Sequence, residues 1–532
     1  MDIISKAMKN NLQICEWIDA GTQKWELFVE RVRGRQLFLF GVGEGMNYFL
    51  RNYGSQVHIS GVLDNNAGIQ GEILEVCCEA ARQTGYENLI INSPCVLKKF
   101  SETDIVVLIT STNYYQVIER QVRDMGIRHV YVLLMMEADR RNYDPGRAME
   151  DLDEIRRRYI SWCCSQALEE KKLVMMIGVY GGHARQITRA LLKERMDLDI
   201  VWVVENMHMD KPEGVRLVYG RNWERYAYEM ETAKIWIYDD IISPQIKKRD
   251  EQIYIQVKHW SSITLKKFYL DDKSPVLTAE VEEAIRYDGA RMDYLFSGSK
   301  FDEESCRSGF MFRGKAIRLG SARSDILFDK DIQNMVKKRL GIGEDAGICL
   351  YVPTYRLGEL ERTNSMEIML DMERLLQVLK KKWEEEWYLL VRLHPSLAFG
   401  ENILPESNNI INVGDYQDSQ ELVAASDIMI TDYSSIMFEE AYRKKPVFLY
   451  APDKKTYISR ERDLLIDYDT LPFPVAESNE QLHRLIRDFD IEKYIENLNY
   501  FMEKYGVHED GHASERAAKF VMGLLEGQGS GK

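Results

Sequence analysis

Residues 426–450 read SDIMITDYSSIMFEEAYRKKPVFLY. Ile428–Ile430 is a short apolar run that suits a buried strand, and it ends in Thr431-Asp432. Ser434 or Ser435 then sits where an N-cap belongs, ahead of a helix running through Glu439 and Ala441. KPVFLYAPD then supplies the next apolar strand. Strand, helix and strand in this order predict a parallel sheet with crossover helices. At the first turn, free N–H groups, serine hydroxyls and the positive end of the helix dipole converge, which is the composition of a phosphate cradle. Ser435 and Glu439 are four residues apart and share a helix face, so Glu439 can accept sugar hydroxyls from a ligand whose phosphates rest on the serines. An ordinary capped helix would account for the serines alone.

The same alternation extends in both directions. Upstream, GICLYVPTYR, WYLLVRLHP and NIINVG precede this block, and together they form one β-α series. An earlier series runs through LVMMIGVYGGHARQITRALLKE, DIVWVVEN, AKIWIYDD and QIYIQVKHW. A third, nearest the N-terminus, has strands predicted at 37–40, 59–63, 104–110 and 129–133. A charged stretch with Asp-Pro-Gly at 144–146 separates this first series from the rest. The expected fold class is α/β, a pair of Rossmann-like domains preceded by a third. The expected boundaries are 1–140 for the N-terminal domain, 141–168 for a linker and helix, 169–328 for the next domain and 329–532 for the last.

In open α/β sheets, ligands bind beyond the carboxyl ends of strands. At such ends stand His259, followed by Ser261, Ser262, Lys266 and Lys267; Arg392 with His394; Pro353, Thr354, Tyr355 and Arg356; and the turn Gly320, Arg323, Asp325. An imidazole suits general-base chemistry near neutral pH. Arginine forks match phosphate oxygens. In the N-terminal series, Gly41, Gly43 and Gly45 join a strand to a helix, and Asp64 ends the next strand. This is a nucleotide-site pattern that departs from G-x-G-x-x-G at Met46 and carries Glu44 where a phosphate would lie. A degenerate Rossmann turn accounts for it better, and the N-terminal series contains no Tyr-x-x-x-Lys partner for an NAD-dependent reaction.

Composition narrows the function classes. The 532 residues carry 70 basic against 85 acidic side chains, a formal charge of −15, which opposes generic nucleic-acid binding. The eight cysteines form no C-x-x-C pair and read as free thiols. No run approaches a membrane span or a signal peptide, so a cytoplasmic location is expected. The aromatic and basic residues Lys6, Lys9, Trp17, Trp25, Arg31 and Arg33 suit either packing on the first domain or contact with a bilayer. No Asp-x-Asp clearly follows a strand end, and no metal is inferred.

Taken in order, these motifs resemble the CDP-glycerol glycerophosphotransferase family of teichoic-acid-type polymer synthesis, over about Lys172 to Gly523. QVKHWSSITLKKF is similar to the family's Q-x-W-H-G…L-K-K segment, RLGSARSD to its Gly-x-x-Arg-x-Asp turn, YVPTYR and RLHP to its corresponding elements, and TDYSSIMFEEAYRKKPVFLY to its T-D-Y-S-S block. The resemblance implies a GT-B-like pair of domains and a CDP-activated polyol donor, with CDP-glycerol as substrate and no required cofactor. It implies a lipid-linked or glycan acceptor and peripheral contact with the inner face of the membrane. It also implies catalytic roles for His259 and His394 and donor contacts from Arg323, Pro353, Thr354, Arg356, Arg392, Ser434, Ser435 and Glu439. The rival readings are a GT-B glycosyltransferase using a nucleotide sugar and a non-catalytic nucleotide-binding relative. The chain departs from the pattern where the family's Trp-His-Gly reads Lys258-His259-Trp260. An indole replaces a glycine that would let backbone approach ligand.

Overall fold

The computed structural model describes residues 23–140, 156–177, 182–271, 277–354, 370–393, 404–405, 407–460 and 463–527. They divide into two compact units. One comprises Met1–Met175, Asp199–Lys234 and Gln245–Glu251, and the other Met176–Leu198, Ile235–Pro244 and Gln252–Lys532.

Among the described residues three sheets form, one for each β-α series read from the sequence and each with more strands than that reading named. The first has order β3-β2-β1-β4-β5, built from β1 Gln36–Phe40, β2 Ile59–Leu63, β3 Ile91–Asn92, β4 Ile105–Ile109 and β5 Val130–Val132, all paired in parallel. All five side chains of β4 are buried, as a parallel strand covered on both faces requires. Trp25 lies 4.3 Å from the ring of Tyr53 and 5.4 Å from that of Phe28, so this indole belongs to the packing of the first domain.

The second sheet has order β12-β11-β10-β9-β6-β7-β8. Its strands are β6 Glu169–Met176, β7 Asp199–Val204, β8 Arg216–Tyr219, β9 Ala233–Tyr238, β10 Ile253–Gln256, β11 Tyr294–Ser297 and β12 Lys315–Arg318. The third has order β15-β14-β13-β16-β17-β18, from β13 Gly347–Val352, β14 Trp387–Val391, β15 Ile410–Asn412, β16 Ile428–Thr431, β17 Val447–Tyr450 and β18 Val475–Ala476, again wholly parallel. The strand order reverses between β13 and β16, so the loops after these two strands flank the crevice where such sheets bind ligands.

The second unit is tied together twice. The helix Ala513–Leu525 returns from the third sheet's domain to pack on the helix His183–Glu194, and its Phe520 meets Tyr294 and Phe296 of β11 edge-on. In the opposite direction, Ile263 and Leu265 leave the loop after β10 and bury in the core around β13 and β16. Leu465 N–H donates to Leu265 O at 2.8 Å and Lys267 N–H to Asp463 O at 3.0 Å. Among the described residues no helix is long and apolar enough to cross a membrane.

One glycine of the N-terminal turn is fixed by packing. A Cβ on Gly45 would stand 2.0 Å from the carbonyl oxygen of Thr110 at the end of β4. Gly45→Ala is expected to push the helix Glu44–Tyr53 off the sheet and cost about 3 kcal/mol. Urea unfolding monitored within residues 23–140 by hydrogen exchange checks this, and an unchanged midpoint contradicts it.

Candidate active site

The site is assembled from loops that follow β6, β10, β12, β13 and β16. After β13, Thr354 N–H donates to Asp432 Oδ1 at 2.8 Å, and after β16 Thr431 Oγ1 donates to Val352 O at 2.6 Å. These bonds lock the two loops on either side of the crossover. Tyr433 is a core residue rather than a ligand-facing one. It is fully buried, stacks on Tyr457 at 3.7 Å and donates its hydroxyl to Asp453 at 3.0 Å. The helix begins at Ile436 with Ser435 at its N-cap, and Ser434 Oγ accepts from Ile436 N–H. The Ser435 hydroxyl does not cap. It accepts from Leu265 N–H at 3.1 Å and meets Thr264 Oγ1 at 3.0 Å, so it holds the strap that crosses from β10.

His259 stands three residues past the end of β10, on a loop entered through Lys258 at φ +52°, in the left-handed region. Its ring is exposed to solvent, yet protein surrounds it on several sides. Partial desolvation holds its pKa below the ordinary value; Asp240 opposes this, and the positive charges of Arg323 and Lys258 add to it. A neutral, solvent-open imidazole at neutral pH is the form a general base needs.

Arg323 connects the two sides of the crevice. It sits in the turn after β12, donates through Nη1 to His259 O, and places Nε 3.0 Å from Glu439 Oε1 as an ion pair. Both side chains are nearly buried, at 5% and 3% exposure. Gln420 Nε2 donates to the other Glu439 oxygen at 2.7 Å. Burial raises the Glu439 pKa, while Arg323 and Gln420 pull it back. Glu439, expected from its spacing to meet a sugar, is thus already held by Arg323, expected to meet a phosphate. Around the pair, Gln420 Oε1 and the hydroxyls of Ser321 and Ser324 are buried with no hydrogen-bond partner among the described residues. These are groups a polar ligand would satisfy.

The Trp260 indole turns into the domain. It is 5% exposed, packs 4.2 Å from Phe268 and stacks on Phe310, because the left-handed turn at Lys258 directs positions 258 and 260 into the domain and leaves 259 outside. The neighbouring serines bridge the halves of this unit: Ser261 Oγ lies 2.8 Å from Tyr442 OH, and Ser262 donates to Glu509. Glu509 also accepts from Ser321 N–H at 3.1 Å, and burial pushes its carboxyl up to about 8. Arg392 Nη1 donates to the carbonyls of Val413 and Tyr416, at 3.0 and 2.7 Å, and so braces the loop after β15. Pro353 adjoins Thr354 at the end of β13. His394, Tyr355 and Arg356 lie outside the described residues.

Sequence reasoning missed His183. It opens the helix after β6, is buried, and its Nε2 lies 2.9 Å from Trp260 O, which makes that nitrogen the protonated one. Burial, with Lys258 and Arg323 nearby, holds its pKa far below the ordinary value, so it stays neutral. The Gly-Gly-His run after an apolar strand was the available signal. Gln420 had none.

The N-terminal turn has a different character. Asp64 Oδ2 accepts from Val42 N–H and Oδ1 from Asn66 N–H, both at 2.7 Å, so this carboxylate is spent on the backbone of the Gly41–Gly43 turn and on its own loop. Glu44 pairs with Arg156 at 2.5 Å. Gly41 lies at φ +106°, and a Cβ there would touch Ser111 at 2.9 Å. Tight packing accounts for Gly41 and Gly45, whereas Gly43 faces open space.

Residues 163–523 match the model of the CDP-glycerol:poly(glycerophosphate) glycerophosphotransferase family. The chain belongs to this family. The transferase is 27% identical over 340 residues to the teichoic acid poly(glycerol phosphate) polymerase of Bacillus spizizenii, spanning 62% of this chain and 85% of that one. It is 26% identical over 382 residues to the teichoic acid glycerol-phosphate transferase of Staphylococcus aureus, spanning 68% and 96%. Its fold is that of the wall teichoic acid polymerase TagF, with a TM-score of 0.62 at 22% identity over 72% of this chain and 96% of the other. The transferase therefore has the GT-B-like pair of domains, and its first sheet lies ahead of the residues matched to the family.

Proposed function

We propose that this transferase moves glycerol phosphate, or a related polyol phosphate, from its CDP-activated form to a hydroxyl of a lipid-linked or glycan acceptor. His259 takes the proton from the acceptor hydroxyl as its oxygen attacks the β-phosphorus. A new phosphodiester P–O bond forms, the bond from that phosphorus to the bridging oxygen breaks, and CMP leaves with the electron pair. Arg323 is placed to neutralise the diphosphate once it leaves Glu439, and Glu439 is then free to accept ribose hydroxyls. Ser434, Pro353, Thr354 and Arg392 line or brace the donor side. By family resemblance His394 and Arg356 contribute as well, His394 as the second imidazole. Positioning and electrostatics carry such transfers.

The observation supporting this reading is the bridge His259 O–Arg323–Glu439. It joins the loop of an exposed histidine to a guanidinium and a carboxylate, with unpartnered polar atoms beside them. Incubation with CDP-glycerol and a glycerol-phosphate-primed acceptor tests it. The expected products are CMP and a new phosphodiester seen by phosphorus NMR. A glycosidic product from a nucleotide sugar, with no CMP from CDP-glycerol, replaces this reading with the glycosyltransferase one. Peripheral membrane contact through residues 1–33 belongs to the same proposal, and flotation with anionic liposomes, with and without those residues, checks it.

A further inference from the structure

Three consecutive side chains, Lys258, His259 and Trp260, alternate in, out and in. Both inward ones end on a single carboxylate. Lys258 Nζ lies 3.0 Å from Asp302 Oδ2, and Trp260 Nε1 donates to Asp302 Oδ1 at 3.0 Å. The ion pair is sealed from water, with side-chain exposures of 1% and 0%. Asp302 is itself fixed. Its Oδ2 also accepts from Gly298 N–H at 3.1 Å, and its backbone N–H donates to Ser299 Oγ at 3.0 Å, the cap of the helix Lys300–Gly309. Ser299 in turn donates to Ser262 O at 2.8 Å, three residues beyond the histidine. Gln256 Oε1 accepts from Lys258 N–H at 2.7 Å, which stabilises the left-handed entry to the loop.

We propose that Asp302 is a positioning residue for the transfer reaction: by gripping Lys258 and Trp260 together it sets the place of His259 and balances the charge beside its ring. The proposal rests on the reading of His259 as the base. Stability alone does not call for this arrangement, because a buried ion pair is commonly replaceable by apolar side chains without loss. What the pair adds is direction, since a carboxylate with two fixed donors holds both flanks of one loop in a single geometry. The grip also explains how this chain accommodates lysine and tryptophan around the histidine. The indole fills the domain and finds a partner for its N–H, and the lysine charge is matched where it is buried.

The charged and titratable groups facing His259 are Lys258 beside it, Arg323 from the turn after β12, Asp240 and the Asp239 backbone from the loop after β9, and His183 from the helix after β6. Lys258 favours the neutral ring, and Asp302 offsets Lys258. Removing the negative partner leaves the ammonium uncompensated and moves the histidine pKa down. Removing the positive partner leaves the carboxylate and moves it up.

The test uses the full chain and measures CMP release against pH for Asp302→Asn, Lys258→Met, the double variant and Trp260→Phe. The acidic limb of kcat/KM is expected to move to lower pH in D302N and to higher pH in K258M, and to return toward the parent position in the double variant. W260F, which removes one N–H and keeps an aromatic ring, is expected to lower kcat about 10-fold to 10²-fold with the KM for CDP-glycerol within twofold, the signature of a displaced catalytic group. If D302N does not fold, W260F and K258M carry the test. Limbs that do not move, or that move the same way in both charge variants, overturn the proposal, as does a W260F enzyme with unchanged kcat. Full activity in a His259→Ala control would instead remove the reading of the base on which the proposal stands.

Discussion

His259→Ala is expected to release CMP from CDP-glycerol about 10²-fold to 10⁴-fold more slowly than the parent chain, the range supplied by one well-placed general base. The residue is exposed, meets Trp260 edge-on at 4.9 Å between centroids and hydrogen-bonds the Asp239 backbone, and its removal is expected to leave the fold intact. Thermal unfolding of the variant is expected to match the parent, which separates lost chemistry from lost structure. The pH profile gives a second reading. Desolvation and the neighbouring cations lower the His259 pKa from its ordinary value of about 6.5. A base must be deprotonated to act, so kcat/KM rises with pH through that lowered pKa and levels off above it. A variant with near-parental turnover, or a limb lying above the ordinary histidine value, contradicts the role.

Arg323→Ala is expected to combine a stability loss with a donor-binding loss. The guanidinium holds Glu439 by a buried pair and His259 by its carbonyl, and deleting one partner of such a pair costs about 3–5 kcal/mol because the other charge stays buried. Arg323→Lys is expected to recover only part, since an ammonium cannot serve the carbonyl and the carboxylate in the same fork geometry. The sign of the pH effect follows from Glu439. Its folded pKa is already raised by burial, and without Arg323 it rises further. A carboxyl whose folded pKa exceeds its unfolded value costs stability above that folded pKa, and the cost fades as pH falls through it. The deficit of R323A relative to the parent is therefore expected to shrink on acidification, as read by urea unfolding across a pH series. A deficit that grows toward low pH contradicts the pairing. In kinetics, the KM for CDP-glycerol is expected to rise, because the phosphate-facing cation is gone.

Much of this architecture was legible in the chain itself. Ile59–Leu63 and the runs around 37–40, 105–109 and 428–430 are short, apolar and followed by polar turns, and each became a buried parallel strand. A strand buried on both faces needs an unbroken apolar run, and such runs are visible without any tertiary knowledge. The histidine after β10 was legible for a related reason: polar residues behind a buried strand face the open edge of the sheet; the arginine after β12 was legible through its Gly-x-x-Arg-x-Asp pattern. The pairing of Asp432 with Thr354 was not, because it joins positions 78 residues apart.

Partnership across distance is what composition and spacing could not express. Ser435 looked like a cap and became a fastening for residues 264–265, since the strap from β10 offered its backbone N–H to the same hydroxyl. Glu439 and Arg323 each looked like a ligand contact and proved to hold one another. Trp260 stands where the family pattern has a glycine, and it turned inward once the backbone at Lys258 entered the left-handed region. The sequence by itself determined the long apolar strands, their parallel pairing and the loops that carry polar chemistry, but not the short or edge strands such as β3, β8, β12 and β18, because the former depend on local periodicity and on the strand-helix order. Only the tertiary structure decided which polar groups neutralise each other and which stay open to solvent, because charge pairing and desolvation depend on neighbours brought together by the packing of two sheets.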